Sequence, residues 1–500
     1  MIETLKTAER FDIFIGGPER LAGVKVLLIY PPVRLSEMPM FPPVGLLSLA
    51  GVLEKSGAIV EILDLNMMRL SFASLKKELD SREFDIVGVG GMATVYYYIK
   101  LLVKYLKHKY PNVPLVGGGT VSSGSPDIVM ENTLLDALVL GEGEPVIIDI
   151  IDSLVNQKDI SQIKGIVYRK DNSIVKTDSR PRMENLDDLP YPAYHLIDLE
   201  KYISNAFVYK KKKNIVSEVR IKELNLDKKK SSRPVMLFTK RGCPYKCDFC
   251  YRNFGRRVIS HSVKYVLDYM KFLEVTYNTI NFSIEDETFN IDKKWIIEFC
   301  DALIAEKRNY IIGIGNGLRA NLIDDDIVLK MKQAGFCSIG VGIESFYNPS
   351  LKDMVKLQTS EIVESAIKTI NKHGFHIASA QFLYGYPSDN KESMAINVKM
   401  CKKLGLQSAG FAIPCPYPGT ALYTRAVSQG LITDEEAWLM ELADKDISDR
   451  VINMSGKSDK FLKKQIIKAR DQLLCILCVS SFQYLVICLQ LFKQWEDGLE

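Results

Sequence analysis

The sequence predicts an α/β protein: a flavodoxin- or Rossmann-like doubly wound parallel sheet, then a partial (β/α)6 barrel, then a helical C-terminal region. Three observations carry that prediction. Between residues 25 and 155, short β-branched runs alternate with helical segments, the pattern of a parallel sheet. From 233 to 430 the alternation recurs, with strand-like runs near 235–240, 279–284, 311–316, 337–343, 376–384 and 408–414. Glycines at 88–91, 117–119, 141 and 143 follow strands. They fall at the carboxyl edge, where open α/β sheets bind ligands.

The elements follow in order. Residues 1–24 read as an N-terminal extension. VKVLLIYPP is a strand, VGLLSLAGVLEKSG a helix, AIVEILDLN and FDIVGVGG two further strands. A helix near 95–110 leads to PLVGGG, and DALVLGEGE opens into the helix EPVIIDIIDSLV. Residues 156–232 read as a linker with two small strands, GIVYR and SIVKT. A segment rich in proline and aromatics follows, and then lysine runs at 210–213 and 228–230. Such a charge run reads first as a solvated face. The barrel occupies 233–430, and residues 431–500 read as helical.

Composition sets the class. Apolar residues make up 47% and charged residues 25%, the balance of a globular protein rather than a fibrous or disordered one. Lysine plus arginine total 65 against 61 acidic residues, a net +4 that gives no footprint for nucleic acid. Glu3, Glu9, Arg10 and Asp12 interrupt the apolar run that a signal peptide needs. A cytoplasmic protein with reduced thiols is therefore expected. Residues 472–492 carry no charge, but glutamines, serines and a tyrosine dilute them. They read as a buried or membrane-surface helix before a true span.

All ten cysteines follow residue 242, so no thiolate site exists in the first half. Immediately after the first barrel strand stands RGCPYKCDFC, with Cys243, Cys247 and Cys250. Thiolates at CxxxCxxC spacing on a tight loop can hold three corners of a 4Fe–4S cluster. Structural zinc wants four ligands, and no histidine lies within ten residues. Three ligands leave one iron open to a substrate or cofactor. A non-catalytic electron carrier or regulator would instead need a fourth ligand. Cys401, Cys475, Cys478 and Cys488 read as buried packing. Cys415, at the sixth strand end, reads as facing the cavity, with core packing favoured.

A CxxxCxxC loop on the first strand of a parallel barrel resembles the radical S-adenosylmethionine (SAM) superfamily. The resemblance implies that the open iron binds SAM and that reduction releases a 5′-deoxyadenosyl radical. Later stretches match strand by strand. Phe249 lies within the motif, and Glu285 and Asp286 in NFSIEDETFN resemble an acidic strand end that meets the SAM amino group. Arg319 in GNGLRAN, Glu344 in GVGIES, and Gly385 and Pro387 in FLYGYPSDN complete the implied SAM site. A flavodoxin-like domain ahead of this barrel resembles the cobalamin-binding subfamily. Its implied corrin loops carry Pro43, Gly45 and Leu46, then Gly117, Gly118, Gly119 and Thr120, then Gly141, Glu142, Gly143 and Glu144. The DxHxxG histidine of older cobalamin enzymes is absent, and His108 reads as a surface residue. The methylthiotransferase type needs cysteines in its first domain, and there are none.

The implied function is cobalamin-dependent radical SAM chemistry, with methylation of an unactivated carbon through methylcobalamin as the leading outcome. A non-methylating oxidoreductase or cyclase, with or without cobalamin, stays open. The implied partners are a small-molecule or lipid-like substrate and an electron donor such as ferredoxin or flavodoxin, with membrane-surface association through 472–492 as an option.

Overall fold

The computed structural model describes residues 19–480 apart from 34–37, 172, 212–220, 223, 376, 378–379, 407–408 and 444–451. Five short apolar runs become β1 (Lys25–Tyr30), β2 (Ile59–Asp64), β3 (Ile86–Gly90), β4 (Leu115–Gly118) and β5 (Ala137–Val139). They pair in parallel in the order β2-β1-β3-β4-β5. The reversal of strand order between β1 and β3 makes the crevice where such sheets take ligands. Val26, Leu27, Leu28 and Ile29 are all buried, because helices cover both faces of the sheet.

The two small strands expected in the linker are β6 (Ile166–Lys170) and β7 (Ser173–Lys176). They extend the same sheet antiparallel past residue 155, rather than standing apart from it. Of the lysine runs, the second forms a short turn, Lys228–Ser231, whose backbone N–H groups are capped by Asp227. The first run straddles the end of the helix Leu199–Lys211, and Lys212 and Lys213 lie outside the described residues.

The second half builds six parallel strands around an open arc. β8 (Pro234–Leu237) is followed by the hairpin pair β9 (Lys240–Arg241) and β10 (Ile259–Ser260). Then come β11 (Asn281–Ile284), β12 (Ile311–Ile314), β13 (Phe336–Ser338), β14 (Ala380–Leu383) and β15 (Ala409–Ala412). Strands β8, β11, β12 and β13 form one sheet and β14 and β15 another. Among the described residues one parallel bridge, Glu344 to Phe382, carries the arc across the gap. Strand β8 is therefore an edge, and the barrel is partial.

The two halves share a core. Leu422, Trp438 and Leu439 from beyond β15 bury themselves with Val95, Tyr96 and Ile99 of the first sheet's helices. Tyr96 donates its hydroxyl to Glu436 at 3.0 Å, beside the Lys100–Glu436 ion pair. Among the described residues no helix is long and apolar enough to cross a membrane. The helix Asp459–Ser480 contains the start of the uncharged stretch. Residues 481–492, with Cys488, lie outside the described residues, as do the side chains of Cys475 and Cys478.

Candidate active site

The hairpin β9–β10 brackets the cysteine loop, so the loop leaves and rejoins one fixed base. Cys243 donates its backbone N–H to Gly255 O at 3.1 Å, and its sulfur receives the Thr288 hydroxyl at 2.9 Å. The Cys247 sulfur receives the Arg319 guanidinium at 3.5 Å, and Cys250 is exposed. A hydroxyl and a guanidinium thus stand against two of the three sulfurs. Among the described residues no three metal-binding side chains converge on one point. A polynuclear cluster takes each thiolate on a different iron, so the donor set fits it.

Between the last two cysteines, Asp248 is buried and ties the loop to the far side of the barrel. It accepts the Tyr386 hydroxyl at 2.6 Å and the Arg425 guanidinium at 2.9 Å. Its own N–H donates to Met354 O and its carbonyl accepts Leu422 N–H. Burial pushes the carboxyl up, and these two partners pull against it. Phe249 is half-buried, with Lys356 Nζ 5.7 Å from its ring centroid.

The acidic strand end divides three ways. Glu285 lies against Gly315, where an added Cβ would stand 2.0 Å from its carboxylate, and accepts the Ser283 hydroxyl at 2.6 Å. Only glycine leaves room for that carboxylate. Asp286 is 2% exposed and accepts the Thr239 N–H at 2.6 Å, the Lys240 N–H at 3.1 Å and the Thr239 hydroxyl. Its oxygens are thus engaged in holding the chain beyond β8. Glu287, absent from the sequence-based set, accepts Asn253 N–H at 3.1 Å and keeps a second buried oxygen without a partner. Its charge acts on Cys250. The signal was its place as third acid in a row.

Arg319 is buried and stacked on Tyr245, 3.6 Å from the ring centroid. It also donates to Asn321 at 3.0 Å and to the Lys356 carbonyl. Glu344 stands in the left-handed region, φ 59°, and pairs with Lys356 at 2.8 Å. Gly385 is buried and Pro387 exposed; the Gly385 and Tyr386 N–H groups both donate to Asp389, at 2.8 and 2.9 Å. Cys401 and Cys415 are both buried in the hydrophobic cores.

At the carboxyl edge of the first sheet lies a crevice of about 480 Å³, within the range of cofactor pockets. Tyr30, Asn66, Arg69, Met92 and Thr120 line it from the sheet; Tyr251 and Tyr417 line it from the barrel. The Thr94 hydroxyl is buried in it without a partner, an orphan that a cofactor amide would satisfy. Of the eleven residues expected to meet a corrin, Thr120 lines this crevice. Gly117, Gly118 and Gly119 shape the turn before it. Pro43 precedes the helix Val44–Lys55, with Gly45 and Leu46 in its first turn, and Gly45 borders a separate cavity of about 120 Å³.

Gly141 donates its N–H to Ser123 at 2.8 Å, and Gly143 sits under Leu49. Glu142 and Glu144 turn away from the crevice to Arg241, at 3.3 and 2.6 Å. Burial would raise the Glu144 carboxyl, but Arg241 outweighs it and holds the group below its usual range. These carboxylates join the first sheet to the base of the cysteine loop. His108 is exposed.

Residues 237–401 match the model of the radical SAM superfamily, and residues 39–151 match the model of the B12-binding domain. The chain belongs to the cobalamin-binding radical SAM enzymes, and its cofactors are a 4Fe–4S cluster, SAM and cobalamin. It is 28% identical over 416 residues to an uncharacterised methyltransferase of Pyrococcus horikoshii, covering 82% of this chain and 84% of that one. It is 26% identical to the anaerobic magnesium-protoporphyrin IX monomethyl ester cyclase of Rubrivivax gelatinosus, covering 80% and 69%. The fold is shared with the radical SAM methyltransferase TsrM of Kitasatospora setae, solved with cobalamin and a [4Fe-4S] cluster. The TM-score is 0.65 at 18% identity, over 81% of this chain and 78% of that one.

Proposed function

We propose that the protein is a C-methyltransferase that uses cobalamin and the SAM-derived radical on an unactivated carbon. One observation carries the reading: the crevice at the sheet edge is walled by Tyr251, the residue that follows Cys250. Two cofactors that act on one substrate must face one cavity. Bound there, the cluster and SAM would supply a 5′-deoxyadenosyl radical and the corrin a methyl carrier.

The chain's own groups then have definite tasks. Cys243, Cys247 and Cys250 hold three irons. The spare oxygen of Glu287 accepts from the SAM amino group, and Arg319 and Lys356 supply positive charge for its carboxylate. Phe249, Glu344, Gly385 and Pro387 border the same mouth, and Glu285 faces the barrel interior. Asp286 positions the β8 end rather than touching SAM. Thr120, with the glycines before it, meets the corrin; Glu142 and Glu144 do not. A one-electron donor of the ferredoxin or flavodoxin class supplies the reductant.

The Rubrivivax relative favours a second reading, ring formation or oxidation without methyl transfer. Incubating the reconstituted, reduced protein with SAM separates the two. Cobalamin-dependent S-adenosylhomocysteine is expected for the methyltransferase. 5′-Deoxyadenosine without any S-adenosylhomocysteine would support the cyclase type instead.

A further inference from the structure

Tyr251 joins the two halves of the site. Its backbone continues from Cys250, and its ring lines the crevice. The ring lies between two glycines, one from each half. A Cβ on Gly419 would stand 2.5 Å from Tyr251 Cε2, and one on Gly124 would stand 3.4 Å from the same atom. Gly124 itself would meet Pro418 O at 2.7 Å. The helix Gly119–Gly124 therefore touches the loop after β15 directly, with Tyr251 filling the seam. On the sheet side, the Ser123 hydroxyl oxygen accepts the Gly141 N–H at 2.8 Å.

We infer that Tyr251 is a positioning residue that sets the spacing between the corrin crevice and the cluster loop. The inference rests on the crevice being the corrin site. Each glycine allows the backbone to approach the ring to contact distance, so without the ring nothing keeps the two backbones apart and the seam collapses toward the space it filled. Any shift of the ring moves Cys250 relative to the sheet edge, because one peptide bond separates them.

The test reconstitutes the full chain with iron, sulfide and hydroxocobalamin, then reads two quantities besides activity. Y251A is expected to bind hydroxocobalamin about tenfold more weakly, for the loss of an aromatic wall. Its cob(II)alamin signal is expected to saturate at higher microwave power beside the reduced cluster, because collapse of the seam brings the cluster nearer and speeds its relaxation. Y251F, which keeps the ring, is expected to stay near wild type in both. Should Y251A lose iron, Y251L carries the same two readouts. M92W, in the loop after β3, separates the inference from its premise. Loss of cobalamin in M92W with unchanged affinity and saturation in the Tyr251 variants overturns the positioning role alone. Undiminished cobalamin binding in M92W overturns the crevice as the corrin site, and the inference with it.

Discussion

The Arg319 guanidinium reaches Cys247 Sγ at 3.5 Å while its face covers the Tyr245 ring. One cation thus serves the cysteine loop from a strand end 72 residues away. Arginine is suited to this because its planar fork can stack and donate at once, which lysine cannot. R319K is expected to keep four irons and lose about 10- to 100-fold in 5′-deoxyadenosine formation, the worth of a charge-assisted bond. R319Q is expected also to lower the cluster's reduction potential, since a positive charge beside a thiolate is gone. Redox titration followed by electron paramagnetic resonance reads that shift.

The cysteines divide by place. C243A, C247A and C250A are each expected to lose the bound iron and all 5′-deoxyadenosine formation. C401A and C415A, altered in the buried cores, are expected to keep the iron and lose only packing stability. Iron content of the purified variants checks both groups.

The neighbouring acids are expected to fail differently. D286N leaves buried donors of Thr239 and Lys240 badly matched, a cost of about 1–3 kcal/mol, read as a lower urea midpoint at unchanged slope. E287Q is expected to fold as wild type and to raise the KM for SAM. Equal effects of the two substitutions on SAM binding would contradict the division of roles.

Lys240 gives a pH signature. Its amine is buried without a hydrogen-bond partner, over the Trp295 ring, and burial brings its pKa down to about 7. The unfolded value is near 10.4. Between these, the unfolded chain binds the extra proton, so stability rises with pH from about 7 to about 10. K240M is expected to flatten that rise, and urea titrations at pH 7 and 9 would measure it. An unchanged slope contradicts the burial of a neutral amine.

Much of the fold was legible because its signals are local. Buried strands such as Val26 to Ile29 announce themselves as β-branched runs, and three cysteines within eight residues share a loop in any fold. What escaped depends on distant pairings. Glu142 and Glu144 follow glycines at a strand end, which resembles a ligand loop, yet Arg241, almost a hundred residues on, claims both. Tyr30, Arg69 and Met92 carry no motif; only the docking of barrel on sheet brings them to one crevice with Tyr417. β6 and β7 read as a linker because nothing in their own residues shows which sheet edge they join. Glu285 and Asp286 formed an evident pair, but alternation along the strand end decides which carboxylate faces inward, and that favours Glu287 beside the thiols.

The central claim is that one chain holds an iron–sulfur cluster and a corrin at the same site. Cobalt and iron per chain, measured after anaerobic reconstitution with cobalamin, test it most directly. The account predicts about one cobalt and about four irons, with the cobalt lost in M92W and the irons lost in C247A. Four irons without cobalt, after cobalamin has been supplied, would contradict it.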